Sequence, residues 1–152
     1  MPTRNQILGN LGEEFVRKNI DCPRCKRPNK SLGRLPTNFK CADLICDFCG
    51  YLAQVKTSNW REVSPYPIGK KIPGAAWAPQ EERMQAGVYF PLFLVLVDSP
   101  RRQKAIYYLP ADLQTPQMFE PSTPLTASAQ RAGWRGFRIN LTEAAAEPVR
   151  LL

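Results

Sequence analysis

Residues 41–58 read CADLICDFCGYLAQVKTS, and the pattern of this stretch sets the architecture. Apolar positions recur on either side of CDFCG, so residues 39–46 and 51–57 read as two strands joined by a tight knuckle, with Gly50 freeing the backbone to turn. Cys46 and Cys49 form one C-x-x-C. Upstream, Cys22 and Cys25 form another, CPRC, with residues 26–45 between the pairs. That is the spacing of a zinc ribbon, in which four thiolates at about 2.3 Å satisfy a tetrahedral ion and leave no open position. Such a site clamps the hairpin and runs no chemistry. The competing reading, two disulfides, needs an oxidising compartment. Cys41 stands outside both pairs and reads as a buried thiol on a strand, with no function assigned.

The chain has 152 residues, enough for one domain with a single core, and carries 21 Lys plus Arg against 13 Asp plus Glu, a net charge of +8. A basic excess of this size is the footprint of a polyanion binder, with nucleic acid ahead of an anionic membrane. There is no histidine. Every mechanism that relies on an imidazole base or ligand is therefore excluded, and hydrolysis would have to rest on carboxylates, a lysine and a divalent metal. The apolar run at residues 90–97 is far short of the roughly 20 residues that span a bilayer, and the N-terminus lacks a signal-type apolar stretch. A cytoplasmic protein is expected.

Outward from the hairpin, Ile7, Leu8, Leu11, Phe15 and Val16 recur at helical spacing, which predicts an amphipathic helix over residues 5–19. Residues 22–38 read as an irregular basic loop and residues 58–79, with their prolines, as a second loop. A short helix is expected at 80–86. FPLFLVLV at 90–97 predicts a buried central strand, 104–109 its neighbour, and 136–141 a last strand. Asp112 falls in a turn or short helix, 115–124 in a proline-rich loop, and 127–132 in a helical turn. The sum is an α/β fold, a mixed sheet flanked by helices, with the four-cysteine element inserted.

Three polar groups can converge on the hairpin. Asp43 lies on its first strand, while Gln54 and Lys56, two apart on the second, project from one face. The order Asp, ten residues, Gln-Val-Lys has the form of a PD-(D/E)XK nuclease motif whose middle acid has become glutamine. In that motif the acids and the intervening backbone carbonyl hold Mg²⁺ and the lysine assists. Glu13, or its neighbour Glu14, is a further carboxylate within reach from the first helix. The plainer alternative is a satisfied polar face of a half-exposed hairpin. Phosphate contacts have candidates in Arg61, Lys70, Lys71, Arg83, Arg101, Arg102, Arg131, Arg135 and Arg138, unless these form a solvated face. The stretch QRAGWRGFR at 130–138 is the candidate recognition loop, where Trp134 either meets a base or methyl group or fills the core beside Phe137.

The helix ending just before CPRC, the segment CADLICDFCGYLAQVKTS, and PLTASAQRAGWRGFRINL at 124–141 together resemble the Dam-replacing family of DpnI-like restriction endonucleases, within the PD-(D/E)XK nuclease superfamily. The resemblance covers most of the chain. It implies a restriction-endonuclease-like fold over residues 1–152 with the zinc element at 22–49. It also implies zinc on Cys22, Cys25, Cys46 and Cys49, and Mg²⁺ or Mn²⁺ on Asp43, Gln54 and the Val55 carbonyl. Asp43 and Lys56 take catalytic positions, Gln54 that of a glutamate, and Glu13 that of a helix glutamate. The implied substrate is double-stranded DNA with methylated adenine in a GATC context, and the expected action is phosphodiester hydrolysis. The winged-helix domain that follows the catalytic domain in DpnI is expected to be absent, so that DNA is read by this domain alone or by a homodimer. Gln54 departs from the family pattern. Loss of that carboxylate weakens Mg²⁺ binding and leaves a weakened or inactive DNA-binding module as the alternative.

Overall fold

The computed structural model describes residues 1–36, 39, 42–60 and 71–152. Cys41, Arg61 and Lys70 lie outside the described residues. In chain order the elements are α1 (Arg4–Asn19), β1 (Leu32–Arg34), β2 (Leu44–Cys46), β3 (Leu52–Asn59), β4 (Lys71–Ala76), α2 (Trp77–Gln85), β5 (Leu92–Asp98), β6 (Gln103–Leu109), β7 (Phe119–Pro121), β8 (Gly136–Asn140) and β9 (Val149–Arg150), with 3₁₀ turns at Ala111–Leu113, Pro116–Met118 and Leu141–Glu143. The chain is mixed α/β and its core is mostly sheet. It divides into two compact units. One comprises Met1–Tyr66, Phe90–Pro110 and Pro148–Leu152, the other Pro67–Tyr89 and Ala111–Glu147.

The first unit is a six-stranded sheet in the order β1-β2-β3-β5-β6-β9. Only β3 and β5 run parallel; every other neighbour is antiparallel. A parallel pair cannot be joined by a tight turn, so the chain between them must travel a long way round. β5 is the run read as a central strand, and all seven of its residues are buried, as an apolar strand covered on both faces requires. Helix α1 starts at a capping box: the Gln6 amide donates to the Thr3 hydroxyl and the Thr3 amide to the Gln6 side chain. Leu8, Phe15 and Val16 from its apolar side join Ala53, Val55, Phe93, Val95 and Val97 in one core. Gly12 lets the helix approach β3 closely, since a Cβ there would fall 1.7 Å from the Thr57 hydroxyl oxygen.

Two expectations need correction in this unit. The first strand of the hairpin is shorter than 39–46 and begins at Leu44. β1 forms inside the stretch read as irregular, because three residues are too few to show alternation and its order comes from pairing with β2.

The second unit is a three-stranded antiparallel sheet, β4-β8-β7, with α2 following directly on β4. Ile72, Met118, Phe119, Phe137, Ile139 and Leu141 are buried in it. Residues 71–76 form a strand although they read as loop. Pro73 disguised it, and it is tolerated because β4 is an edge strand with a register shift beside Pro73. β7 likewise lies within the expected loop at 115–124, and residues 127–132 form turns rather than a helical turn.

Candidate active site and metal centre

The four paired cysteines converge: their Sγ atoms all lie within 4.8 Å of one another. Cys22 and Cys49 are 3.6 Å apart and Cys25 and Cys46 3.7 Å. A disulfide needs about 2.05 Å. A tetrahedron with metal–sulfur bonds of about 2.3 Å has edges of about 3.8 Å, so the four sulfurs stand almost at the separation a bound zinc requires. The knuckle backbone supports them. Lys26 N–H donates to the Cys22 carbonyl, Gly50 N–H to the Cys46 carbonyl, and Gly50 takes the left-handed φ of +78° that the turn demands. The buried Ser31 hydroxyl lies 3.1 Å from Cys46 Sγ, a partner that the spacing of the cysteines does not reveal. Burial opposes ionisation of Cys46, but hydrogen bonds from Ser31 and from the Cys49 and Phe48 amides outweigh it and bring the thiol down to about 6. Burial pushes Cys22 the other way, up to about 12.

A second polar cluster forms where the β2–β3 ladder ends. That ladder pairs Leu44 with Ala53 and Ile45 with Leu52. Asp43 stands just before β2 rather than within it. Its N–H donates to the Ala53 carbonyl, already the partner of Leu44, so two residues face one, the pattern of a bulge. A bulge re-aims its side chain, and Asp43 Oδ2 accepts a 2.8 Å hydrogen bond from the Val55 amide. The carboxylate thereby continues the edge of β3 that β2 leaves open. Val55 and Ala53 point into the core, so the alternation of β3 puts Gln54 and Lys56 together on the opposite face, both partly exposed.

Glu13 reaches the same end of the hairpin from α1. A surface cleft of about 450 Å³ is lined by Glu13 and Asp43, with Gln6, Asn10, Leu35 and Pro36 around them. Burial raises the Glu13 pKa, the Asp43 charge raises it further, and Arg34 opposes both. Arg34, on β1, holds its Nε 3.3 Å from Glu13 Oε1 and donates to Asn10 Oδ1 at 2.7 Å. Nothing in the spacing of Arg34 along the chain marks it; only the pairing of β1 beside β2 delivers it. Glu14, the alternative helix carboxylate, is instead held by Arg17 at 2.9 Å. The two carboxylates of the cleft are hard oxygen donors of the kind Mg²⁺ or Mn²⁺ accepts, and Gln54, Val55 and Lys56 are not among the residues that line it.

The basic candidates are spread more widely. Lys71 is paired with Glu120 at 2.5 Å. Arg131, Arg135 and Arg138 are exposed, and the Arg131 guanidinium lies 4.6 Å over the Trp134 ring. Trp134 is half-buried, its ring against Gly136, while Phe137 meets Trp77 and Phe119. Lys70 is outside the described residues. Among the described residues no helix is long and apolar enough to cross a membrane. Compared with models of known protein families, residues 2–149 match the one described as DpnI, Dam-replacing family.

Proposed function

Because the chain belongs to the Dam-replacing family, we propose that it is a divalent-metal-dependent endonuclease with a restriction-endonuclease-like fold, which hydrolyses double-stranded DNA bearing methylated adenine in a GATC context. The observation that carries the reading is the Asp43 carboxylate, fixed on the Val55 amide and sharing a cleft with Glu13 at the strand that bears Gln54 and Lys56. A bound Mg²⁺ or Mn²⁺ lowers the pKa of a water and offsets charge on the scissile phosphate. Asp43 and Glu13 would supply the anionic oxygens, and Gln54 and the Val55 carbonyl neutral ones. The hydrogen bond from Val55 holds Asp43 in one orientation, so little reorganisation is needed when the ion arrives. Lys56, with a charge and three donors, suits the phosphate or the attacking water. The net charge of +8 favours the duplex, and Arg131, Trp134, Arg135 and Arg138 are the proposed contacts, with Lys70 and Lys71 as further phosphate partners. A four-thiolate zinc site suits a reducing compartment, hence action in the cytoplasm.

The test is cleavage of methylated and unmethylated plasmid in Mg²⁺ and Mn²⁺. Wild type should cut the methylated form, and Asp43→Ala and Lys56→Ala should lose cutting while keeping their melting temperature; equal cutting by all three ends the proposal. A second reading is favoured by Gln54: a DNA-binding module whose metal site has lost a carboxylate. It predicts salt-sensitive binding without nicking. Under it, Gln54→Glu stays inactive, whereas a sound but under-charged site gains cleavage from that change.

A further inference from the structure

The cysteine knuckle has a face that the proposed cleavage site does not use. Arg24, Lys26 and Arg27 are all exposed on the loop that carries the first cysteine pair. None has a carboxylate partner among the described residues, whereas Lys30 on the same loop is tied to Asp21 at 2.9 Å. From the second loop Phe48 projects into solvent at 64% exposure. The Arg27 guanidinium stacks 4.3 Å over its ring, and Arg24 lies 5.1 Å over the ring of Tyr51. Beside them is an open cleft of about 310 Å³ lined by Arg27, Asn29, Lys30, Ser31, Asp47 and Phe48.

Leaving a phenylalanine at the tip forgoes the burial that normally rewards it, and the sulfur cluster beneath holds the tip in one shape. An aromatic ring presented this way, with cations at its edge and over its face, matches a nucleic-acid strand. The rings of bases or sugars meet the aromatic, and phosphates meet the guanidinium and ammonium groups.

We propose that the knuckle is a second DNA-contacting surface, in which Arg24, Lys26 and Arg27 pair with backbone phosphates and Phe48 packs against a sugar or base. It rests on the reading of this chain as a DNA-acting protein. It adds a proposed contact in the unit that bears the carboxylate cleft, in addition to the exposed arginines already named.

Binding of a fluorescent methylated duplex, followed by anisotropy across a salt series without added divalent metal, tests it. Three proteins are compared: wild type, Phe48→Ala, and the triple change Arg24→Gln, Lys26→Gln, Arg27→Gln. Zinc content and melting temperature are measured on each. The expected result is normal zinc and melting in all three. Phe48→Ala should bind roughly five- to a hundred-fold more weakly, and the triple variant should have a salt slope shallower by about one to three. Affinity and slope equal to wild type overturn the proposal and leave the nuclease reading standing. So does a triple variant that loses zinc yet binds DNA as before, for its cations would then serve only the thiolates. If wild type itself retains no duplex at low salt, both fall together.

Discussion

Glu13 is a residue whose proton affinity is set by its surroundings. Burial and the Asp43 charge raise its pKa, so between the ordinary glutamate value and the raised one the folded chain holds a proton that the unfolded chain has released. Stability from this group is therefore greatest in acid and falls as pH rises through the raised value. Glu13→Gln, which keeps the shape and removes the charge, should gain stability relative to wild type as pH climbs from about 4 towards 7; parallel urea titrations across that window check it, and a constant difference refutes it. Gly12 is the second informative residue. The space a Cβ would need is filled by the Thr57 hydroxyl and by the Thr57 Cβ at 2.9 Å. Gly12→Ala should lower stability by about 1–3 kcal/mol despite the better helix propensity of alanine, read by thermal melting. Sequence reasoning named Asp43 from its offset to Gln54-Val55-Lys56, and Glu13 from its place on the first helix. It did not reach Arg34 or Ser31, which act through strand pairing and through the fold of the knuckle.

Among the elements, the β2–β3 ladder has two paired positions, and the four converging sulfurs beside it are a second source of order. A two-position hairpin is marginal alone, so metal binding and folding should be coupled here. Removal of zinc by a chelator, or Cys46→Ser, should lower the melting temperature and broaden the transition. Zinc stoichiometry and near-ultraviolet circular dichroism would follow the loss, and an unchanged melt would refute the coupling. The elements legible in the sequence were the long or strongly patterned ones: α1, β3, β5, β6 and β8 fall where their periodicity predicts. β1, β7 and β9 have three residues or fewer, and no period can be read from so few. β4 was hidden by Pro73, whose missing N–H a sheet edge accommodates.

For the whole molecule, the apolar patterning along the chain foretold a mixed α/β chain, and the family follows from residues spread over 2–149. What it could not foretell is the path of the chain between its two units. That depends on which distant strands pair, and alternation within one strand carries no record of its partner. The first sheet is completed by β9, laid on β6 through Tyr107–Arg150 and Tyr108–Val149. Deleting residues 148–152 would leave the free edge of β6 as a template for other chains. Such a truncated protein should sediment or scatter light at concentrations where the full chain stays clear, and equal clarity would contradict this.

The order in which the chain visits its two units has a practical corollary. The chain leaves the first unit for the second and returns twice, crossing between them four times in all. Neither can be excised as one uninterrupted peptide, and a ribosome must deliver the final five residues before the larger sheet has all its strands. Any attempt to graft the unit with the four-cysteine cluster onto another scaffold would therefore need to reroute the chain rather than simply cut it.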